Sequence, residues 1–325
     1  MCQQFELVHP TDRHLISRGI DCILSEAESP YRHLSADLVE RRQAFDEYCL
    51  RHGLDPARQV LALHQQRIIG VCLWVPTAGR TALFYTPQTA PRDVMTQAAQ
   101  VQCIKQAARD AAAAGMALGQ VILPPEATAT ADLYRHADFS DLATLLYMRR
   151  NRPLFKPSFE LLPEFTLATY TPDLRDQFAQ TIEASYCQTL DCPRLSGLRP
   201  MEDVIAGHQA NAFDPTLWFL LKRNGHNTGV LLLAHRRESA TLELVYLGLT
   251  PMNRGIGLGA QLMKLALLTS IRVQAATITL AVDRANSPAV HLYRCQHFQQ
   301  TAERLVLIAP FSGSAFPAPT VPGAA

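Results

Sequence analysis

The chain repeats itself, and that limits its possible folds more than any other feature. "IIGVCLW" around Gly70-Val71 resembles "NTGVLLL" around Gly229-Val230, and "LYRHADF" (Leu133 to Phe139) resembles "LYRCQHF" (Leu292 to Phe298). The two pairs share one interval, since 229 − 70 = 159 and 292 − 133 = 159. Two matches at one offset indicate duplication of a whole unit, and "VLALH" precedes the first Gly-Val as "WFLLK" precedes the second. At 325 residues the chain is about twice an ordinary domain, so each copy is long enough to bury its own core. The expected organisation is two tandem units, 1–155 and 156–310, joined through the proline-bearing "NRPLFKPSFELLPEF". A disordered tail, 311–325, rich in Pro, Gly, Ser and Ala, is expected to follow.

Within each copy the pattern predicts an α+β unit. In the second, "FTLATY" reads as a strand, Pro172 to about Asn211 as one or two helices, and "LWFLLKR" with "TGVLLLAHRR" as a hairpin around Asn224-Gly225. "ATLELVYLGL" is a third strand. A glycine loop then opens a helix with Leu258, Leu262 and Leu265 at helical spacing, and "ATITLAV" follows as a strand. Pro288 sits near the first turn of a short helix, before a last strand. The unit should therefore be a mixed, mostly antiparallel sheet with flanking helices and a central βαβ crossover.

The junction "VYLGLTPMNRGIGLGAQLMKLAL" contains two overlapping phosphate-loop patterns. From Gly255 it satisfies G-x-G-x-x-A, a relaxed dinucleotide fingerprint. That reading fails, because the fingerprint belongs at the start of its fold and needs an acidic residue about 20 positions later. Between Gly255 and Val282 there is no Asp or Glu, and the loop follows three antiparallel strands. A Walker loop fails for want of Gly-Lys-Ser/Thr. The R-x-x-G-x-G pattern from Arg254 remains.

With that loop, its strand order and the later "NSPAVHLYRCQHF", the second copy from about Phe165 to Pro310 resembles the GNAT superfamily of acyl-CoA-dependent N-acyltransferases, and the tandem form resembles mycothiol synthase-like proteins. Where family members commonly have Gly-Phe, this chain has His297-Phe298. The resemblance implies that acetyl-CoA lays its pyrophosphate on the loop Arg254, Gly255, Ile256, Gly257, Leu258, Gly259 and Ala260. It also implies that the pantetheine arm pairs with the backbone of a splayed strand at Leu247 and Leu249, with Asn286 contacting it. The glycines and the helix N-terminus suit an anion physically. The implied activity is acetyl transfer to a primary amine of a small molecule by direct attack on the thioester; a protein or peptide acceptor and a non-catalytic acyl-CoA sensor are the alternatives.

Glu243 matches a glutamate that some members use as general base, and Tyr293 a tyrosine that protonates the departing thiolate. Glu243 could equally be an outward strand residue paired with Arg236 or Arg237, Tyr293 a packing aromatic, and Asn286 a plain N-cap. Asp191, Arg194, Arg199 and His208, in a Pro- and Gly-broken stretch, are candidates for acceptor contact. In the first copy the 159-residue offset maps Glu243 to Phe84 and the loop to Met95–Gln100, which contain neither a carboxylate nor a glycine loop. That copy is expected to keep the fold without the cofactor.

Lys plus Arg number 30 against 29 Asp plus Glu, so no broad field attracts nucleic acid or an anionic membrane. No stretch approaches the roughly 18 apolar residues of a membrane span, and "MCQQFELVHPTDRH" lacks a signal-peptide core. The eight cysteines contain no C-x-x-C pair, and with the scattered histidines they predict no metal site. A cytoplasmic protein is expected, monomeric with an internal pseudo-dimer.

Overall fold

The computed structural model describes residues 5–24, 38–87, 90–210 and 212–311. The first repeat carries β1 (Glu6–Val8), α1 (Arg13–Leu24), α2 (Leu38–His52), β2 (Gln59–His64), β3 (Arg67–Thr77), β4 (Thr81–Tyr85), α3 (Val94–Ala113), β5 (Leu118–Leu123), α4 (Thr128–His136) and β6 (Ser140–Asn151). The second carries β7 (Phe165–Thr169), α5 (Arg175–Tyr186), α6 (Met201–Gln209), β8 (Trp218–Arg223), β9 (His226–Arg236), β10 (Thr241–Leu249), α7 (Leu258–Arg272), β11 (Thr277–Asp283), α8 (Ser287–Cys295) and β12 (Gln299–Pro310). The offset recurs at the starts of equivalent elements: 226 − 67 = 159 for β3 and β9, 287 − 128 = 159 for α4 and α8, and 299 − 140 = 159 for β6 and β12.

The hairpins show why the copies fold alike. Asn224 and Gly225 have φ of +49 and +82, the two positive values a two-residue hairpin turn requires. At the equivalent place in the first copy, Gln65 and Gln66 have φ of +47 and +63, without the residues that normally mark such a turn. Both hairpins also carry a register shift at the same point, Ala62/Leu63 and Leu221/Lys222.

Two compact units form. One consists of the described residues of Met1–Leu142 and Leu305–Pro317, the other of those of Ala143–Arg304. The first has strand order β1-β2-β3-β4-β5-β12, the second β6-β11-β10-β9-β8-β7. Each is antiparallel except for one parallel pair, β4 with β5 and β10 with β11, which brackets the crossover helix. The units thus depart from the expected cut at 155. β6 pairs with β11 from Thr277↔Asn151 to Asp283↔Leu145, while β12 pairs with β5. Each repeat's last strand completes the other unit's sheet. Phe311, the first residue of the expected tail, stacks edge-on against Phe84 at 6.2 Å; residues 312–325 lie outside the described residues.

In the second unit both faces of the sheet are covered, which explains the unbroken apolar run of β8. Leu231, Leu233, Leu242 and Leu244 meet Leu262, Met263 and Ala266 of α7 on one face. Trp218, Leu220, Val230 and Leu232 meet Phe178 and Ile182 of α5 and Val204 and Ile205 of α6 on the other. The alternation of period 2 along each strand sorts the residues between the two layers. No described helix is long and apolar enough to cross a membrane. Among the described residues, no group of three or more His, Cys, Asp or Glu could hold a metal ion.

Candidate functional site

The site begins where two parallel strands part. β10 pairs with β11 from Thr241↔Thr277 to Leu244↔Leu280 and no further. Beyond that point β10 continues along β9 to Leu249↔Gly229, after a bulge between Leu244 and Tyr246. β11 continues along β6 to Asp283. From Val245 to Leu249, then, one edge of β10 has no ladder partner, and Leu247 and Leu249 lie on this free stretch.

Directly after β10 a 3-10 turn (Pro251–Asn253) leads into the glycine loop and α7. Gly255 and Gly257 have φ of +74 and +87, and a Cβ on either would meet nothing within 4 Å. Glycine is needed here for its backbone conformation. Gly259 differs, because its Cβ would come within 3.3 Å of Leu292 Cδ2, so its smallness lets α7 pack on α8. The N–H groups of Gly255, Ile256, Gly257, Leu258 and Gly259 donate to no acceptor among the described residues. Gly257 is the N-cap of α7 and contributes no capping side chain. Five open amides at a helix N-terminus form a cradle for an anion.

The two ends of the expected loop play other roles. Ala260 gives its N–H to Gly257 O at 3.1 Å, and Arg254 gives its own to Pro251 O at 3.2 Å. The Arg254 guanidinium donates to Leu249 O, Gln188 O and Ser185 O, at 3.0, 3.0 and 2.7 Å. It holds the loop against the last turn of α5, where a cation is favoured by the helix dipole. Arg254 is therefore a strut of the cradle, and its charge is already engaged.

Polar groups collect around the parting strands. Asp191 Oδ1 accepts the N–H of Asp283, the last residue of β11, at 3.1 Å. Asp283 answers by accepting Cys192 N–H on Oδ2 at 3.2 Å and Ala285 N–H on Oδ1 at 2.9 Å. Asn286 is the N-cap of α8 through Ala289 N–H and also donates to Asp191, so its side chain is already bonded on both sides. Burial raises the Asp191 pKa, the Asp283 amide lowers it, the Asp283 charge raises it, and Asn286 lowers it; the net shift is upward. Tyr293 is only 6% exposed. Burial, then the Asp191 charge, pushes its phenol up.

Tyr246, on the free stretch of β10, hydrogen-bonds Ser185 Oγ at 2.7 Å. Burial raises its pKa, and the smaller influences include Asp191. A Cβ on Gly248 would meet Ser185 Oγ and the Tyr246 ring at 2.6 Å, so this glycine makes room for that pair. His208 lies 5.3 Å from the Tyr246 ring, its Nε2 shielded and unpartnered. Burial, with the Arg199 charge, brings it down to about 4, so it is neutral near neutral pH. Tyr246, Ser185 and Asp283 had no sequence signal. They matter through pairings with residues far along the chain.

Glu243 is elsewhere. It pairs with Thr279 in the closed part of the parallel ladder, before the strands part. Its Oε2 accepts two bonds from Arg236, at 2.9 and 2.7 Å, in a partly exposed ion pair. Of its two readings from sequence, this geometry is that of the strand residue paired with Arg236. Such pairs contribute about 0–1 kcal/mol, so Glu243→Gln is expected to change turnover less than about threefold, measurable by thiol release.

Residues 184–298 match the Acetyltransferase (GNAT) family. Two solved structures share the fold. A GCN5-related N-acetyltransferase from Sphaerobacter thermophilus is 17% identical with TM-score 0.59, over 96% of this chain and 97% of that one. A tandem GNAT protein from the clavulanic acid biosynthesis pathway, solved without AcCoA, is 13% identical with TM-score 0.51, over 96% of this chain and 100% of that one. Among curated protein sequences nothing matches. The comparisons support the tandem form and leave the likeness to mycothiol synthase unsupported.

Proposed function

We propose that the second unit binds acetyl-CoA and transfers its acetyl group to a primary amine of a small molecule. The observation that carries this is the row of open amides from Gly255 to Gly259, continuous with the free edge of β10. A pyrophosphate supplies the acceptors those amides lack, with the α7 dipole behind them. Leu247 and Leu249 offer backbone groups to an amide-bearing arm laid along β10. Bound there, acetyl-CoA supplies an acyl group activated as a thioester.

Tyr293 delivers the proton that the sulfur leaving group requires. Its ring is buried and its hydroxyl has no hydrogen-bond partner among the described residues, whereas the equivalent Tyr134 is bonded to Thr86 Oγ1 at 3.3 Å. Asn286 positions the start of α8, which carries Tyr293. The polar groups beside the parted strands are largely buried, which suits a compact acceptor better than a protein surface.

Isothermal titration with acetyl-CoA tests the first step, and thiol release with a panel of amines and peptides tests the second. Binding without release from any amine would identify a non-catalytic acyl-CoA module instead. Tyr293→Phe is expected to lower kcat by roughly 10²-fold, the lower range for a general acid, with acetyl-CoA affinity unchanged.

A further inference from the structure

With Glu243 tied to Arg236, the reaction proposed above lacks a group to take the proton from the incoming ammonium. We infer that Asp191 is this catalytic base, binding the acceptor ammonium at the mouth of the β10–β11 wedge and taking its proton. The inference rests on the transfer reading above.

The placement follows from hydrogen bonding. Successive strand amides point to opposite edges, and the N–H of Arg284 goes to Thr144 O of β6 at 2.8 Å. The preceding amide, of Asp283, therefore points to the edge from which β10 has departed, and Asp191 Oδ1 is bonded to it. The carboxylate thus lies on the free edge of β11, across the gap from the free edge of β10. Cys192, with φ of +45, is held there through its own N–H on Asp283, so the loop is fixed from both sides.

A second observation points to a ligand at the same place. Tyr293 is 6% exposed, and its hydroxyl is unpartnered among the described residues yet feels the Asp191 charge. Its oxygen is not among the fully shielded unpartnered atoms, so it keeps accessible surface at which a ligand group can bond it. Asp191 has the capacity for this, because an ionised carboxylate accepts at about four sites and the Asp283 amide and Asn286 use two.

The groups facing Asp191 are Asp283 from β11, Tyr186 from α5, Tyr246 from β10, Tyr293 from α8 and the neighbouring Cys192 thiol, with the Arg199 cation beyond Tyr186. Burial and the Asp283 charge raise its proton affinity, which suits a base that must accept from an ammonium. The step balances. One ammonium proton passes to Asp191, the nitrogen lone pair forms the N–C bond, and the C–S bond breaks with its electron pair on sulfur. Sulfur takes a proton from Tyr293, which recovers one from the new amide nitrogen, and Asp191 releases its proton to water.

The test compares Asp191→Asn, Asp191→Glu, Asp283→Asn and Glu243→Gln in the full chain, with acetyl-CoA and a panel of arylalkylamines, polyamines and amino acids. Asparagine keeps an oxygen for the Asp283 amide, so acetyl-CoA affinity and melting temperature should persist in Asp191→Asn. Its kcat/KM for the amine should fall roughly 10²- to 10⁴-fold, and amine affinity for the CoA-loaded protein, read by calorimetry, should fall as well. The acidic limb of the wild-type pH profile, where the base becomes protonated, should disappear. Removing the neighbouring negative charge in Asp283→Asn should move that limb to lower pH, which a purely structural role for the pair would not do. If Asp191→Asn proves unstable, Asp191→Glu reads the same limb, retained but at a reduced rate. Wild-type rate and pH profile in Asp191→Asn, or loss of the limb in Glu243→Gln, would overturn the inference. Absence of thiol release from the wild type with every amine would overturn the transfer reading itself, and the base with it.

Discussion

Acetyl-CoA affinity is expected to fall at least about 100-fold in Gly257→Val. The backbone at position 257 has φ of +87, where a β-branched residue is a genuine outlier. A left-handed conformation costs an ordinary L-residue roughly 1–2 kcal/mol, so the chain relieves it by turning the peptide planes on either side. Those planes carry the open amides of Gly257 and Leu258. A hydrogen bond to a charged group contributes about 1.5–3 kcal/mol, and misaligning two of them amounts to roughly 3–6 kcal/mol, or 10²- to 10⁴-fold in affinity. The valine side chain also projects into the open space before the cradle. Gly259→Val is a different experiment, because its Cβ meets Leu292 Cδ2 at 3.3 Å and the change loosens α7 from α8; a lowered melting temperature should accompany its loss of binding. Calorimetric titration of folded Gly257→Val with unchanged affinity would remove the loop from the cofactor site.

The same titration should give one acetyl-CoA per chain, all of it lost in Gly257→Val. The first unit has each part of the site altered. Its crossover helix α3 begins at Val94, and 94 + 159 = 253, against Leu258 for α7. The residues mapped onto the loop, Met95–Gln100, are therefore helical. The N-cap is Asp93, whose carboxylate accepts Thr96 N–H at 2.9 Å, so a fixed negative charge stands where a phosphate would bind. β4 stops at Tyr85, two residues past its last pairing with β5, whereas β10 runs on to Leu249, five past its last pairing with β11. Gln100, at the position of Gly259, bonds both backbone groups of Val71 in its stead, at 3.0 and 2.8 Å. At the helix start, Asp93 thus satisfies internally an amide of the kind that stays open at the start of α7. Two equivalent sites per chain, or turnover surviving in Gly257→Val, would refute the asymmetry.

Much of this was legible in the residues because it is local. The 159-residue offset survives at the starts of β2 and β8, β3 and β9, β5 and β11, α4 and α8, and β6 and β12, since a repeated hydrophobic period rebuilds the same strand or helix wherever it occurs. Asn224-Gly225 marks its own turn through the positive φ it tolerates, and Gly255 and Gly257 mark the loop in the same way. The mixed α+β architecture followed from order and period alone. Tertiary structure decided which partner each group meets. β6 and β12 hold equivalent positions in their repeats, so nothing local says which sheet each completes; only long-range pairing sends β6 to β11 and β12 to β5. Arg254 and Glu243 sit in the expected pattern, yet one cation is drawn to the carbonyls ending α5 and one carboxylate to Arg236 across the strand pair. Asp191 gains its place from an amide 92 residues away, exposed because two strands part. Hydrogen bonds form with whatever the folded chain brings within about 3 Å, and that proximity is a property of the packed sheet that no single stretch of sequence carries.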